Sequence, residues 1–103
     1  MTFGQRLSAA VIALGLSSCL HAGDYRLDTW AAGLDLPWSL AFLPDGSALV
    51  TELGGTLRRI DGAGAASDPI ANVPPVYFAG QGGLFDVVLH PDFARNRLVY
   101  LSY

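Results

Sequence analysis

Few side chains in this sequence have the types and spacing that catalysis requires. Its two histidines, one cysteine and nine acidic residues form no metal-type His/Cys spacing, no phosphate-binding loop and no Ser-His-Asp arrangement. The remaining candidates are Gln81, His90, Glu52 and Asp86. The Gln81 amide can donate and accept hydrogen bonds, and the glycines beside it allow the backbone to approach a ligand. The alternative is that this amide serves only its own turn.

Both acidic candidates are predicted to form ordinary hydrogen bonds within the fold rather than to act in catalysis. Asp86 lies in an otherwise apolar run, where a buried carboxylate needs donors or a shifted pKa. Arg58 and Arg59 form an isolated pair that we expect on a solvated strand face. The chain has a net charge of -3 and lacks lysine, which argues against nucleic acid as a partner.

The first 22 residues have the pattern of a secretory signal peptide. Arg6 precedes an apolar run from Leu7 to Leu20, which is too short to span a bilayer, so no transmembrane span is predicted. Cleavage after Ala22 releases a soluble protein and is the favoured interpretation. The alternative is a lipobox that ends at Cys19, whose lipidation would anchor the protein to the envelope. Either way we expect a periplasmic or secreted protein, and only the lipoprotein gives Cys19 a role.

The remainder contains an internal repeat. The segment that includes Leu43-Pro44-Asp45 returns at His90-Pro91-Asp92, and the offset from Pro44 to Pro91 is 47 residues. This period is typical of a four-stranded propeller blade. In each copy the proline and aspartate favour a tight turn between two apolar strands, with the aspartate side chain capping the turn. His90 occupies the place of Leu43 and is therefore predicted to belong to the scaffold.

The sequence predicts an all-β fold without a convincing helix after residue 24. Residues 38–43 and 85–89 are apolar enough to be strands that are covered on both faces. The other predicted strands are residues 25–30, 48–51, 56–60, 70–73 and 98–103. We therefore expect one full blade from Trp38 to Val73 and half of a second blade. Because a repeat protein needs several units, residues 24–103 are interpreted as a truncated part of a larger domain.

The ordered motifs resemble the glucose/sorbosone dehydrogenase family and, within it, the soluble PQQ-dependent aldose sugar dehydrogenases. The resemblance covers nearly all of the mature region. The segments that carry it are Leu36-Pro37-Trp38-Ser39-Leu40-Ala41-Phe42-Leu43-Pro44-Asp45-Gly46, Thr51-Glu52, Gly54-Gly55, Gly80-Gln81-Gly82-Gly83-Leu84, His90-Pro91-Asp92-Phe93 and Tyr100-Leu101-Ser102-Tyr103. In the family an arginine usually follows the Thr-Glu pair, whereas this chain has Leu53. Any contact made by that arginine is therefore in doubt.

The resemblance implies a six-bladed β-propeller, of which this chain holds the first blade and part of the second. It also implies a quinoprotein sugar dehydrogenase that uses PQQ and calcium, oxidises aldose sugars at C1 to lactones and passes electrons to an external acceptor. The family's histidine base and its PQQ and calcium ligands lie in later blades, beyond Tyr103. No catalytic, cofactor or metal residue is therefore assigned here, and the chain alone is expected to be inactive. Gln81 matches the family's sugar-binding glutamine.

Two other functions remain as alternatives. A propeller can also bind a carbohydrate or a protein without catalysis, because a fold does not fix an activity. A metal-dependent lactonase on a similar propeller has less support, since its acidic metal ligands are not evident in this sequence.

Overall fold

The structure, a computed structural model, describes residues 23–103. Five short strands and one helical turn occur in this part of the chain: β1 (Pro37–Phe42), β2 (Ala48–Glu52), β3 (Thr56–Ile60), β4 (Val87–Leu89), α1 (Phe93–Asn96) and β5 (Val99–Leu101). Strands β1, β2 and β3 form one antiparallel sheet in sequence order, and β4 and β5 form an antiparallel hairpin. The predicted signal peptide and Cys19 lie outside the described residues.

The first copy of the repeat forms the predicted hairpin. The Leu43 N–H donates to the Ser47 carbonyl at 2.8 Å, and the Gly46 N–H donates to the Leu43 carbonyl at 3.0 Å. The Asp45 carboxylate caps this turn by accepting the Ser47 N–H at 2.9 Å, as predicted. Hydrogen bonds from the Ser47 hydroxyl and N–H, together with Arg59, lower the pKa of Asp45 to about 2. Its charged form therefore closes the turn at any ordinary pH.

The second copy keeps the hydrogen bonds of the first but not its cap. His90 takes the place of Leu43: its N–H donates to the Leu98 carbonyl at 3.0 Å, and its carbonyl accepts the Phe93 N–H at 2.9 Å. The prediction that Asp92 caps this turn is wrong, because α1 has no side-chain cap. The backbone N–H of Asp92 instead donates to His90 Nδ1 at 3.0 Å. This connection is longer, and α1 fills the additional length as a single turn that the sequence analysis did not predict.

Two predicted strands, residues 25–30 and 70–73, are absent. Tyr25 and Leu27 are 93% and 98% exposed and pair with no strand of the described chain. The segment near Ile70 does follow the outer edge of β3, since the Ile70 N–H donates to the Leu57 carbonyl at 2.8 Å. Pro69 has no N–H to donate, and Asn72 has a left-handed φ of 63°, so a continuous ladder cannot form.

The core lies between the first sheet and the second hairpin. Leu49, Leu57 and Val87 form its buried centre, and the Thr51 hydroxyl ties the two units together by donating to the Phe85 carbonyl at 2.5 Å. All five residues of β2 are buried because this strand has a neighbour on each side. Within the described residues β1 is an edge strand and Trp38, Leu40 and Phe42 are exposed. The prediction that neighbouring blades cover both faces of residues 38–43 stays a prediction.

Candidate functional site

Gln81 lies in a tight loop that packs against the end of β2. The Gly82 N–H donates to the Ala79 carbonyl at 2.9 Å and closes the turn around Gln81, and the Leu84 N–H donates to the Leu53 carbonyl at 3.0 Å. A Cβ atom on Gly82 would lie 2.4 Å from the Tyr77 carbonyl oxygen, and one on Gly83 would lie 2.8 Å from the Leu53 carbonyl oxygen. These two glycines therefore permit close packing within the chain, and the approach of the backbone to a ligand stays a prediction.

The Gln81 loop borders an open depression with a volume of about 360 Å³. Three aromatic rings, Trp38, Phe78 and Phe85, and the side chain of Leu53 supply its apolar wall. Gln81 is exposed at this wall. Among the described residues of the lining, its amide is the only side chain that offers both donors and acceptors. The arrangement is that of a small-molecule site, with a mostly apolar wall and few polar groups.

Trp38 is a member of the site that the sequence analysis did not identify. It is the extra residue of a β-bulge, since Pro37 pairs with Glu52 whereas Ser39 pairs with Thr51. The bulge interrupts the alternation of β1, and the Trp38 ring lies 5.6 Å from the ring of Phe85 at an interplanar angle of 58°. The sequence contains no clear signal for this bulge. The residue before a proline is ordinarily extended, so Leu36 would be expected to continue a regular strand into Pro37. In the structure Leu36 instead has a left-handed φ of 46°.

Glu52 is a structural carboxylate within the hydrogen-bond network of the blade, as predicted. Its side chain is 2% exposed and accepts hydrogen bonds from the Asp35 N–H at 2.5 Å, from Arg58 Nε at 2.6 Å and from the Thr56 hydroxyl. Burial alone would raise the pKa of Glu52, but these three donors outweigh it and lower the pKa. The expectation of a solvated Arg58 is wrong, because this guanidinium is half-buried and bonds the buried Glu52 carboxylate from β3. Arg59 is exposed, as expected.

The two remaining candidates do not line the depression. Asp86 is exposed rather than buried, and its backbone pairs with Ser102 across the start of the second hairpin. His90 uses Nδ1 to accept the Asp92 N–H and meets the Asn96 amide at 2.9 Å. This imidazole organises the turn that contains α1, which is a scaffold role.

The described residues do not fit calcium or PQQ. Within residues 23–103, no three His, Cys, Asp or Glu side chains come together in a way that could hold a metal ion. Among the described residues, no arginine lines the depression beside Gln81, so none of them would pair there with the carboxylates of PQQ. We therefore assign no cofactor contact to this part of the chain.

Within residues 23–103, no helix is long and apolar enough to cross a membrane.

Residues 34–103 match the glucose/sorbosone dehydrogenase family. This match covers well over half of the chain, and the chain belongs to that family, as the motifs predicted. The family relationship and the antiparallel sheets together confirm the predicted all-β propeller class, of which the described residues form a part.

Individual relatives support the same assignment. The aldose sugar dehydrogenase YliI of Escherichia coli (strain K12) is 54% identical over 91 residues, a match that covers 85% of this chain and 24% of the relative. An uncharacterized protein of Synechocystis is 42% identical over 79 residues, covering 69% of this chain and 19% of the relative. The chain therefore spans a quarter or less of the length of these relatives.

Solved structures are similar to the chain as well. The apo form of the soluble aldose sugar dehydrogenase of Escherichia coli matches with a TM-score of 0.70 at 48% identity, over 74% of this chain and 22% of that one. A PQQ-bound aldose sugar dehydrogenase from Streptomyces coelicolor matches with a TM-score of 0.67 at 39% identity, over 73% and 23% of the two chains.

Proposed function

We propose that this chain is the N-terminal part of a PQQ-dependent dehydrogenase that oxidises aldose sugars at C1 to lactones and passes the electrons to an external acceptor. The observation that carries the proposal is the family match over residues 34–103, together with relatives named as aldose sugar dehydrogenases. A PQQ-bound relative supports the choice of cofactor. An exposed amide beside an aromatic depression supports a sugar as the ligand.

Within this chain, Gln81 is the residue to which we assign a role in the reaction. Its amide bonds sugar hydroxyls and so holds the sugar in the orientation that the reaction needs. PQQ held by residues outside residues 23–103 would supply the acceptor for the electrons of the sugar. We expect the base and the PQQ and calcium ligands beyond Tyr103, so residues 23–103 alone are proposed to be inactive even when PQQ and calcium are added.

We also propose that the protein works outside the cytoplasm, in the periplasm or secreted. The apolar run from Leu7 to Leu20 supports this location. Mass spectrometry of the mature protein should find a terminus at Gly23 or a lipidated Cys19. An intact Met1 in cytosolic protein would contradict the proposal.

The role of Gln81 is tested in the complete protein, reconstituted with PQQ and calcium. We expect Gln81→Ala to lower kcat/KM for an aldose by about two- to tenfold, because a lost hydrogen bond costs about 0.5–1.5 kcal/mol. The measurement is the sugar-dependent reduction of an artificial electron acceptor. Binding of PQQ, measured by titration, should be little changed.

Gln81→Glu is the matched variant, because it keeps the shape of the side chain and removes its two N–H donors. If the amide donates to the sugar, Gln81→Glu should also lose activity. Equal kinetics in all three proteins would remove Gln81 from the site. If the complete wild-type protein reduces no acceptor with any aldose, a propeller that binds carbohydrate or protein without catalysis becomes the better explanation.

A further inference from the structure

The two tryptophans of the chain have different environments. Trp30 is half-buried, stacks on Phe42 with 5.7 Å between ring centroids, and donates through Nε1 to the Gly62 carbonyl at 3.3 Å. Trp38 is 57% exposed and lines the depression that Gln81 borders. Trp30 therefore has the contacts of a packing residue, whereas the described residues leave much of the Trp38 ring uncovered at the depression.

The backbone around Trp38 is irregular in a way that fixes the position of its side chain. Leu36 takes a left-handed conformation, which is costly for a leucine, and its carbonyl accepts the Leu53 N–H at 3.0 Å. The bulge at Trp38 follows two residues later. Bulges near binding sites commonly redirect a side chain. Here the irregular segment brings the Trp38 ring beside Phe85, whereas Phe42 on the same strand stacks with Trp30.

The lining of the depression indicates the chemistry of its ligand. No charged side chain is among the described residues that line it, so a neutral ligand avoids an unpaired buried charge. The wall combines an aromatic face with one amide. A pyranose ring has a matching surface, since its C–H groups form an apolar face and its hydroxyls form a polar edge.

We propose that Trp38 is a sugar-contacting residue of the site: its indole face packs against the C–H face of the aldose ring while the Gln81 amide bonds the hydroxyls. This inference rests on the proposed sugar dehydrogenase function and extends it to a residue that determines affinity for the sugar. An aromatic contact of this kind carries no proton and no hydride. It therefore acts on the binding of the sugar and leaves the chemical step unchanged.

The test compares Trp38→Leu, Trp38→Phe and Trp30→Leu in the complete protein reconstituted with PQQ and calcium. With D-glucose as the probe, we expect Trp38→Leu to raise KM by about two- to tenfold while kcat stays within about twofold. Trp38→Phe keeps a ring and should recover most of the affinity. Trp30→Leu removes the same type of side chain outside the depression and should leave KM unchanged.

A second measurement separates this inference from the function on which it rests. Isothermal titration calorimetry with D-glucose, carried out after the bound PQQ has been reduced, measures binding without turnover, and Trp38→Leu should weaken it by the same factor. Weaker glucose binding with no dehydrogenase activity in the wild type would support the Trp38 contact and contradict the proposed function. Unchanged KM and binding in an active Trp38→Leu protein, with only a lower melting temperature, would make Trp38 a packing residue and overturn the inference. If wild-type protein neither binds nor oxidises glucose, both proposals fail.

Discussion

Glu52 shows how one buried carboxylate connects three parts of the chain. It lies at the end of β2 and accepts hydrogen bonds from Asp35, which precedes β1, and from Thr56 and Arg58 on β3. A buried charge is tolerable only when it is paired in this way. The network therefore attaches the segment that enters β1 to the β2–β3 hairpin, close to the irregular backbone that positions Trp38.

We expect Glu52→Gln to lower the free energy of unfolding of the complete protein at pH 7 by about 1.5–3 kcal/mol, the usual value of a hydrogen bond to a charged group. Because folding lowers the pKa of Glu52, its contribution is complete above its ordinary pKa of 4.5 and is lost as the pH falls through the lower value of the folded state. Urea denaturation between pH 7 and pH 3 should show the wild type and the variant converging at acid pH.

Asp86→Asn is the matched control for this prediction, since it also turns a carboxylate into an amide but at an exposed position. Its stability should differ little from that of the wild type at pH 7. A stability difference between the wild type and Glu52→Gln that does not change with pH would show that the charge of Glu52 is not what holds the network.

At the scale of elements, the Gln81 loop depends on close contacts that only glycine allows. We expect Gly82→Ala to destabilise the complete protein by about 1–3 kcal/mol, the usual cost of overpacking, because the new Cβ would lie 2.4 Å from the Tyr77 carbonyl oxygen. Thermal unfolding measures this loss. Gly62→Ala is the control, since nothing lies within 4 Å of a Cβ at that position. Equal melting temperatures for the two variants would show that the loop adjusts without cost.

The two hairpins show which parts of an element follow from local sequence. Their strands and the shared hydrogen bonds at Leu43 and His90 were predictable from the repeat, because apolar runs around a Pro-Asp pair favour the same turn. The different roles of Asp45 and Asp92 could not be predicted from the repeat. Asp45 caps its turn, whereas the longer second connection allows the His90 imidazole to accept the N–H of Asp92.

At the scale of the molecule, many large apolar side chains of the described chain are exposed. On β1, β4 and β5 they include Leu40, Phe42, Val88 and Tyr100. Strand β1 also has a free edge, which can pair with another chain. A propeller would cover such surfaces with further blades, and repeat proteins need several units for stability.

Residues 23–103 expressed alone should therefore fold poorly or associate. Size-exclusion chromatography and a thermal scan test this expectation. A monomer with a cooperative unfolding transition would show that the described part is stable by itself, and the interpretation as a truncated domain would then be wrong.

The sequence by itself determined the class of this protein. The repeat offset and the near-continuous apolar runs predicted a propeller, because they depend on local turn chemistry and on the period of the blade. The resemblance of the ordered motifs predicted its family. Gln81 was also identified from the sequence, through the resemblance of its loop.

The tertiary structure decided what surrounds Gln81. The depression, the contact between Trp38 and Phe85 and the burial of Glu52 each join residues that are far apart in the chain. The absent strand at 25–30 has the same cause, since a strand forms only where a neighbouring edge can accept its hydrogen bonds. The segment 70–73 has such an edge in β3, but Pro69 and the left-handed Asn72 interrupt its ladder. Local propensity does not determine which distant residues come into contact, because the packing of the whole fold sets the partner of each residue.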